Sequence, residues 1–223
     1  NYVSYLTPKI SFMVNPGDMK DYSSGSQTIN ADNLFNTNRL AFSDSFESGR
    51  SLTTGFEYKI ENSLDSEKFS EFKIGTVLRD KEESFIPKSS TINNKSSNIF
   101  GSLTIDNLDL IKFDYDFALD NDLKTFEKNS LKTQFSISNF VTEFTFNELN
   151  GKMGSQNSIE NTTSIKFDDN NYFTFNTRRN RELNLTEYYD LVYEYKNDCL
   201  TAGIKYKKTY YSDRDLIPRE DLM

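Results

Sequence analysis

Apolar and polar residues alternate with a period of two along most of this chain. In the segment LIKFDYDFALD at 110–120, Phe113 and Tyr115 alternate with Lys112 and Asp114. Successive side chains of a β-strand point to opposite faces, so this alternation predicts a strand with one apolar and one polar side. The same alternation recurs in the segments at 50–62, 69–79, 128–138 and 185–196.

Roughly eleven such segments can be placed on the sequence, each close to the ~9–11 residues that a tilted strand needs to cross a bilayer. The sequence therefore predicts an all-β, antiparallel fold, with about eleven strands of a larger transmembrane barrel. The approximate predicted spans are 3–14, 50–62, 69–79, 98–106, 109–119, 128–138, 140–149, 156–167, 171–181, 185–196 and 199–211.

The links between these segments alternate between short and long. An outer-membrane barrel has short turns on its periplasmic side and longer loops on its extracellular side, whereas a β-sandwich has no reason to sort its loops in this way. Two links, at 151–155 and 182–184, are shorter than this rule predicts. The short links lie at 62–68, 106–109, 138–140, 168–171 and 197–198, and the long ones at 15–49, 80–97, 120–127 and from 211 onward.

Composition narrows the class of protein further. The 223 residues carry a formal net charge of -8, which argues against nucleic acid as a partner because phosphate binding needs a basic face. Only 35% of residues are hydrophobic, yet 14% are aromatic, which suits a β structure with one apolar and one wet face. The sequence contains no histidine and so lacks the commonest general base and metal ligand, and we expect neither catalysis nor a cofactor.

A first motif lies directly before a predicted strand. The segment DNLFNTNRLAFSDSFESGR at 32–50 resembles the long-loop motif of the lipopolysaccharide (LPS) assembly outer-membrane protein family, LptD. That motif reads approximately NLF-x-x-NR, then an aspartate, then a glycine and a basic residue that open the next strand. Phe42 and Ser45 stand where the family often has glycine and arginine, which bears on the local turn geometry. The matching residues are Asn33, Leu34, Phe35, Asn38, Arg39, Asp44, Gly49 and Arg50.

A second motif covers 185–222 and resembles the end of the same family. It contains a strand, a short turn with a cysteine, a strand that ends in aromatic residues, and a D-R-D-x-x-P loop before a final strand. The residues that match this last loop are Asp213, Arg214, Asp215 and Pro218.

The resemblance implies a location and a set of partners. It implies the bacterial outer membrane, with LPS as the substrate, a plug lipoprotein inside the barrel and periplasmic LPS-transport bridge proteins. It also implies that residues 1–223 are the C-terminal part of a barrel domain truncated at both ends, stopping one strand short. Asn1–Tyr5 reads like the middle of a strand, which agrees with a start inside a longer protein.

Cys199 is the single cysteine, so it cannot form a disulfide within this chain. The resemblance places it on the family's C-terminal cysteine, which bridges to the N-terminal periplasmic domain. Its short turn at 197–198 falls on the predicted periplasmic side, where disulfides persist. A half-buried free thiol is the alternative.

Several polar clusters are candidates for functional sites. Asp114 and Asp116 share a strand face and could act as paired carboxylates, but a solvated wall explains them better. The segment at 168–171 has calcium-like ligands but no loop glycine or distal glutamate, so we favour a tight turn. For the loop at 33–44 we predict packing over or into the barrel mouth, with hydrogen bonds from Asn38 and Arg39.

Two charged groups at the ends of predicted strands remain. The first group is Arg178, Arg179 and Arg181. It could contact anionic groups of LPS, or it could pair with Glu182 and Glu187. The second group, Asp213, Arg214 and Asp215, could form a local ion pair that shapes the last loop.

Two alternatives to an LPS-inserting barrel stay open. A generic porin or transporter barrel would share the strand pattern without needing either motif. A soluble β-rich carbohydrate-binding module or hydrolase would also alternate, but it would not need detergent.

Overall fold

The computed structural model describes residues 2–210 and 219–222, with side chains for 2–210. It is all-β, with short 3-10 helices at Lys88–Ser90 and Gly151–Met153. Within these residues, no helix is long and apolar enough to cross a membrane. The strands are β1 (Tyr2–Asn15), β2 (Gly49–Asn62), β3 (Asp65–Arg79), β4 (Ile99–Ile105), β5 (Ile111–Leu119), β6 (Phe126–Ile137), β7 (Phe140–Leu149), β8 (Gln156–Lys166), β9 (Asn171–Asn180), β10 (Leu185–Lys196), β11 (Thr201–Thr209) and β12 (Arg219–Leu222).

The strands neighbour one another in chain order from β1 to β12. Every pair with a defined register is antiparallel, as in β1 with β2, where Phe12 faces Leu52, and β10 with β11, where Tyr193 faces Ile204. The prediction of an antiparallel all-β fold with about eleven strands is confirmed.

The end of the chain differs from the sequence prediction. A short strand, β12, pairs with β11 and places Asp221 opposite Lys207, where the sequence suggested no strand. The predicted last-loop motif, Asp213, Arg214, Asp215 and Pro218, lies outside the described residues.

The chain divides into two compact units. Unit 1 comprises 1–107, 114–130 and 148–155, and unit 2 comprises 108–113, 131–147 and 156–223. The division therefore runs through β5, β6 and β7.

In unit 1, β1 to β3 form a wall with two different faces. Phe12, Leu52 and Leu78 lie side by side in register on one face and are exposed. We call this the apolar face. The opposite, polar face carries Thr53 and Val77, which are buried beneath loops. The alternation in the sequence produces this division, because neighbouring residues of a strand point to opposite faces.

In unit 2, β8 to β11 form a ladder of paired strands. Phe175 stacks against Tyr189, with ring centroids 6.2 Å apart, and Tyr189 meets Tyr210 edge-on at 6.0 Å. On the other side of the strands, Asp190 pairs with Lys205 at 3.2 Å. Most side chains here are half-buried or exposed.

Candidate functional site: a loop core on the polar face

Two long loops of unit 1 pack together on the polar face. We call residues 16–48 loop A and residues 80–98 loop B. The Tyr22 backbone N–H donates to the Phe85 carbonyl at 2.9 Å, and the Ser89 hydroxyl donates to the Gln27 carbonyl at 2.9 Å. Their apolar side chains form one buried cluster with residues of the strands below. Its members are Met19, Ile29, Leu34, Leu40, Phe42, Val77, Ile86, Ile92, Phe100, Ala118 and Met153.

Two glycines let loop A approach the strands closely. Gly55 and Gly75 are paired directly across β2 and β3. A Cβ atom on Gly75 would lie 2.6 Å from Leu34 Cδ2, and one on Gly55 would lie 3.1 Å from Phe35 Cζ. Any larger residue at Gly75 would therefore displace Leu34 from the core.

A buried ion-pair centre joins loop A to the strands. The Arg39 guanidinium donates to both Glu47 carboxylate oxygens, at 2.7 and 2.6 Å, and each side chain is only 3% exposed. Arg79, at the end of β3, donates to the same carboxylate at 3.1 Å. A two-point contact of this kind fixes the relative orientation of the guanidinium and the carboxylate in addition to pairing their charges.

Strand residues complete this centre. Arg39 also donates to the Thr53 hydroxyl at 2.8 Å and to the Ser51 hydroxyl at 3.2 Å, and Arg79 donates to the Ser48 carbonyl. Buried charges are costly unless they are paired. A shift of loop A would separate Arg39 from the Ser51 and Thr53 hydroxyls and Glu47 from Arg79, so these contacts fix the position of the loop on the strands.

Asn38 shapes the turn that positions Arg39. Its amide donates to the Phe42 carbonyl at 2.7 Å, and its side-chain oxygen accepts from the Phe42 N–H at 3.0 Å. Ala41, between them, has φ of 52°, in the left-handed region that non-glycine residues rarely adopt. The hydrogen bonds predicted for Asn38 and Arg39 are therefore confirmed.

The other residues of the loop motif make local contacts. The Asn33 and Asn30 side chains each accept from the other's backbone N–H at 2.9 Å, and Gly49 has φ of 83° where β2 begins. Arg50 pairs with Asp80 at 3.2 Å.

Asp44 lies at the exposed rim of loop A. It accepts hydrogen bonds from the Lys20 ammonium and the Tyr22 hydroxyl. The bond from Lys20, followed by that from Tyr22, lowers the pKa of Asp44, and the same contact raises the pKa of Lys20.

A second buried carboxylate joins loop B to the strands. Glu127, at the start of β6, accepts from the Asn98 amide at 2.7 Å and from the Lys152 N–H at 3.4 Å. Asn98 in turn donates its backbone N–H to the Thr91 hydroxyl at 3.1 Å. Each loop is thus attached to strands of unit 1 through a buried glutamate, loop A through Glu47 and loop B through Glu127.

Beyond the loops, the polar face carries ion pairs. Lys9 pairs with Glu57 at 2.6 Å, and Lys73 pairs with Glu71 at 2.6 Å. Lys73 also reaches Asp32 of loop A at 2.9 Å. A wall of alternating charges of this kind can exchange hydrogen bonds with hydrated, sugar-like molecules.

In unit 2, the three arginines do not form one site. Arg178 pairs with Glu187 at 2.8 Å and lies 3.4 Å from Glu160. Arg179 donates to Asn184, and Arg181 lies over the Phe146 ring, 5.5 Å from its centroid.

Two other sequence candidates have structural explanations. Asp168 accepts from the Asn170 and Asn171 backbone N–H groups at 2.8 and 2.9 Å, as in the tight turn we expected. No group of three or more potential metal ligands occurs in the described part of the chain. Asp114 accepts from the Thr104 hydroxyl at 2.9 Å, as part of the polar wall.

Cys199 lies exposed in the short turn between β10 and β11, as a free cysteine. The Asn197 side chain holds this turn by accepting from the Cys199 and Leu200 N–H groups at 3.0 and 2.8 Å. No disulfide is supported within this chain, and the bridge to another domain stays a prediction.

Sequence reasoning identified Arg39 but missed Glu47, Arg79 and Glu127. A glutamate just before a strand and an arginine at a strand end are ordinary surface features in sequence. Glu47 and Arg79 are 32 positions apart in the sequence, and their side chains come into contact only when loop A folds. A usable signal was the presence of Leu34, Leu40 and Phe42 within one long polar loop, because apolar side chains in a loop gain stability when they are buried.

A comparison with protein families identifies a match over most of the chain. The model of the family described as LptD, LPS transport system D, matches residues 1–165. This span contains the first sequence motif and both loops, whereas the second motif at 185–222 lies beyond it. A search of curated proteins finds no match to the chain.

Proposed function

The chain belongs to the LptD family, the family of LPS transport system D, and we propose that its two-faced wall separates the parts of LPS during insertion into the outer leaflet. The family forms outer-membrane β-barrels that act in LPS transport and assembly. In this proposal the sugars pass along the polar face and the acyl chains meet the apolar face.

The division of the wall is the observation that carries the proposal. On the apolar face, Phe12, Leu52 and Leu78 are 68%, 38% and 42% exposed, so each presents hydrocarbon surface outside the protein. On the polar face, lysine and glutamate side chains form ion pairs, such as Lys9 with Glu57. LPS has the same division, with acyl chains joined to a hydrated sugar chain, so each face matches one part of it.

The loop core has a separate part in this proposal. Outer-membrane barrels carry their long loops on the extracellular side, so loops A and B would cover the extracellular end of the polar face. Their buried core and the Arg39–Glu47–Arg79 centre favour a fixed cover over a loose one. Sugars would pass beside this cover, where Asp32 and Lys73 remain accessible at 62% and 24%.

The finer partners also belong to the proposal. The family implies LPS as the substrate, and it implies an interaction with other components of the LPS transport machinery. We infer a plug lipoprotein inside the barrel, periplasmic bridge proteins that deliver LPS, and a lateral opening through which lipid A leaves. The sequence motifs of loop A support these inferences through the family resemblance.

Cys199 would attach unit 2 to the periplasmic domain. Its exposure and its place in a short turn support a disulfide with a cysteine of that domain. Non-reducing electrophoresis of the full-length protein, with and without Cys199→Ser, tests this. A mobility change in the variant is expected, and identical mobility would reject the bridge.

Depletion of the protein, followed by an assay of LPS on the cell surface, tests the proposed function. Surface LPS should fall while LPS accumulates behind the outer membrane. Normal surface LPS, with the protein fractionating in the outer membrane, would favour a porin or transporter instead. Solubility of the full-length protein without detergent would favour the carbohydrate-binding alternative.

A further inference from the structure

The loop end of the apolar face combines exposed hydrocarbon with positive charge. The row Phe12, Leu52 and Leu78 runs directly across β1, β2 and β3. Two residue pairs closer to the loops, Val14 faces Arg50 across the same two strands. Alternation places Arg50 on the same face as Leu52, and its side chain is 66% exposed.

A surface depression lies between these features. It has a volume of about 320 Å³, and its walls include Phe12, Leu52 and Leu78 together with Arg50 and Asp80. The hydrocarbon row and the guanidinium are therefore adjacent walls of one depression. A ligand that fills it would contact hydrocarbon at one end and the exposed Arg50–Asp80 ion pair at the other.

A second depression, of about 470 Å³, shares Arg50 and Asp80 with the first. It adds Lys81, whose side chain makes no hydrogen bond or ion pair with any residue that the structure describes. Lys81 Cε lies 3.7 Å from the place where a Cβ on Gly49 would stand, so it borders the strand end that carries Arg50. Two cationic side chains therefore lie beyond the apolar row.

The carboxylates beside these cations are mostly engaged. Asp80 pairs with Arg50, and Glu83 accepts from the Ser48 hydroxyl and, at 3.2 Å, from the Phe85 N–H. Asp18 also lines the second depression. An anion that binds there must therefore lie next to Arg50 and Lys81 and away from Asp18.

We propose that this end of the apolar face binds a phosphate-bearing glycolipid of the outer leaflet, namely LPS already inserted there. The acyl chains lie on Phe12, Leu52 and Leu78, and Arg50 and Lys81 pair with a headgroup phosphate. Arginine pairs well with phosphate, and each basic residue near an anionic lipid surface strengthens binding. This inference rests on the proposed function, which places the loops on the extracellular side.

Photocrosslinking in living cells tests the proposal with the full-length protein. A benzoylphenylalanine side chain is placed at Leu52, or at Phe56 on the same face of the same strand as the matched control. These residues are 38% and 41% exposed. We expect an LPS adduct at Leu52 that falls at least about fivefold when Arg50→Ala and Lys81→Ala are combined. The adduct at Phe56 should not change.

Further variants separate charge from folding. Asp80→Ala removes the partner of Arg50 but keeps the cation, so the Leu52 adduct should persist, and Arg50→Lys should retain most of it. The proposal would be overturned if the LPS adducts at Leu52 and Phe56 were equal and did not change when Arg50 and Lys81 are replaced. Adducts with phospholipid alone would also overturn it. Normal surface LPS after depletion would instead reject the proposed function, so the two failures are distinguishable.

Discussion

The two units of this chain bury their side chains in different ways. Among the described residues, every buried hydrophobic side chain lies in unit 1, within the two long loops, the strands beneath them or the 3-10 helix at Gly151–Met153. Unit 2 has short turns and aromatic contacts along its strands, such as Phe175 with Tyr189. Unit 1 thus carries a water-excluding core of its own, whereas unit 2 depends on its backbone ladder and on whatever covers its faces.

This contrast predicts in which unit a mutation should have the larger effect on stability. A side chain inside the loop core loses packed protein neighbours when it is truncated, and the gap is only partly refilled. A side chain on a lipid-facing strand loses contacts that lipid or detergent can replace. The same chemical change should therefore have different effects in the two units.

The largest difference should come from removing a carboxylate. Glu47→Gln leaves Arg39 and Arg79 buried without their counter-charge, which should destabilise loop A by about 3–5 kcal/mol. Glu143→Gln breaks the ion pair between the half-buried Glu143 and the exposed Lys132 of unit 2, 2.9 Å long, and should cost only about 0–1 kcal/mol because solvent screens the pair. The urea concentration at which a protease cleaves the full-length protein in detergent measures both. Equal shifts would contradict the contrast.

Truncation of a buried aliphatic side chain should come next. Ile92→Ala opens a cavity in the loop core, where Ile92 is 0% exposed, and should cost about 2–5 kcal/mol. Ile204 in unit 2 is 60% exposed, and Ile204→Ala should stay within about 0.5 kcal/mol. Thermal unfolding in detergent compares them, and a large loss for Ile204→Ala would show a hidden core in unit 2.

Acid should weaken loop B through Glu83. Partial burial raises the pKa of Glu83, but hydrogen bonds from Ser48 and the Phe85 N–H outweigh it and bring the pKa below the usual 4.5. A lowered folded-state pKa gives stability that is present above pH 4.5 and is lost as the pH falls through the folded value. Protease cleavage of loop B should increase over that interval. Glu83→Gln should flatten this dependence, and an unchanged acid profile in the variant would assign it to other groups.

The smallest expected effect is a gain in stability. Ala41 has φ of 52°, so Ala41→Gly relieves backbone strain and should stabilise loop A by up to about 1 kcal/mol. Ser138, in a turn of unit 2, has the same φ of 52°, and Ser138→Gly should give a similar gain. Thermal unfolding that shows a loss for Ala41→Gly would mean that the Ala41 methyl group makes contacts that outweigh the strain.

The strands were predictable because their determinant is local. Alternation at 110–120 suffices to place Phe113 and Asp114 on opposite faces, since strand geometry repeats every two residues. The loop core was only partly predictable. Asn38 and Arg39 stood out through the family motif, but their partners did not. Glu47 and Arg79 are in contact because loop A packs closely on the strands, and Gly55 and Gly75 leave the space for this close packing.

The rate at which newly made LPS reaches the cell surface tests the central claim most directly. Cells that depend on the full-length protein with Glu47→Gln should show slower arrival than cells with Glu143→Gln, at equal amounts of protein in the outer membrane. The reason is that Glu47 is buried and holds the cover of the polar face, whereas Glu143 is a half-buried partner of the exposed Lys132. Equal rates in both variants, matching the unaltered protein, would contradict a role of the loop core in LPS insertion.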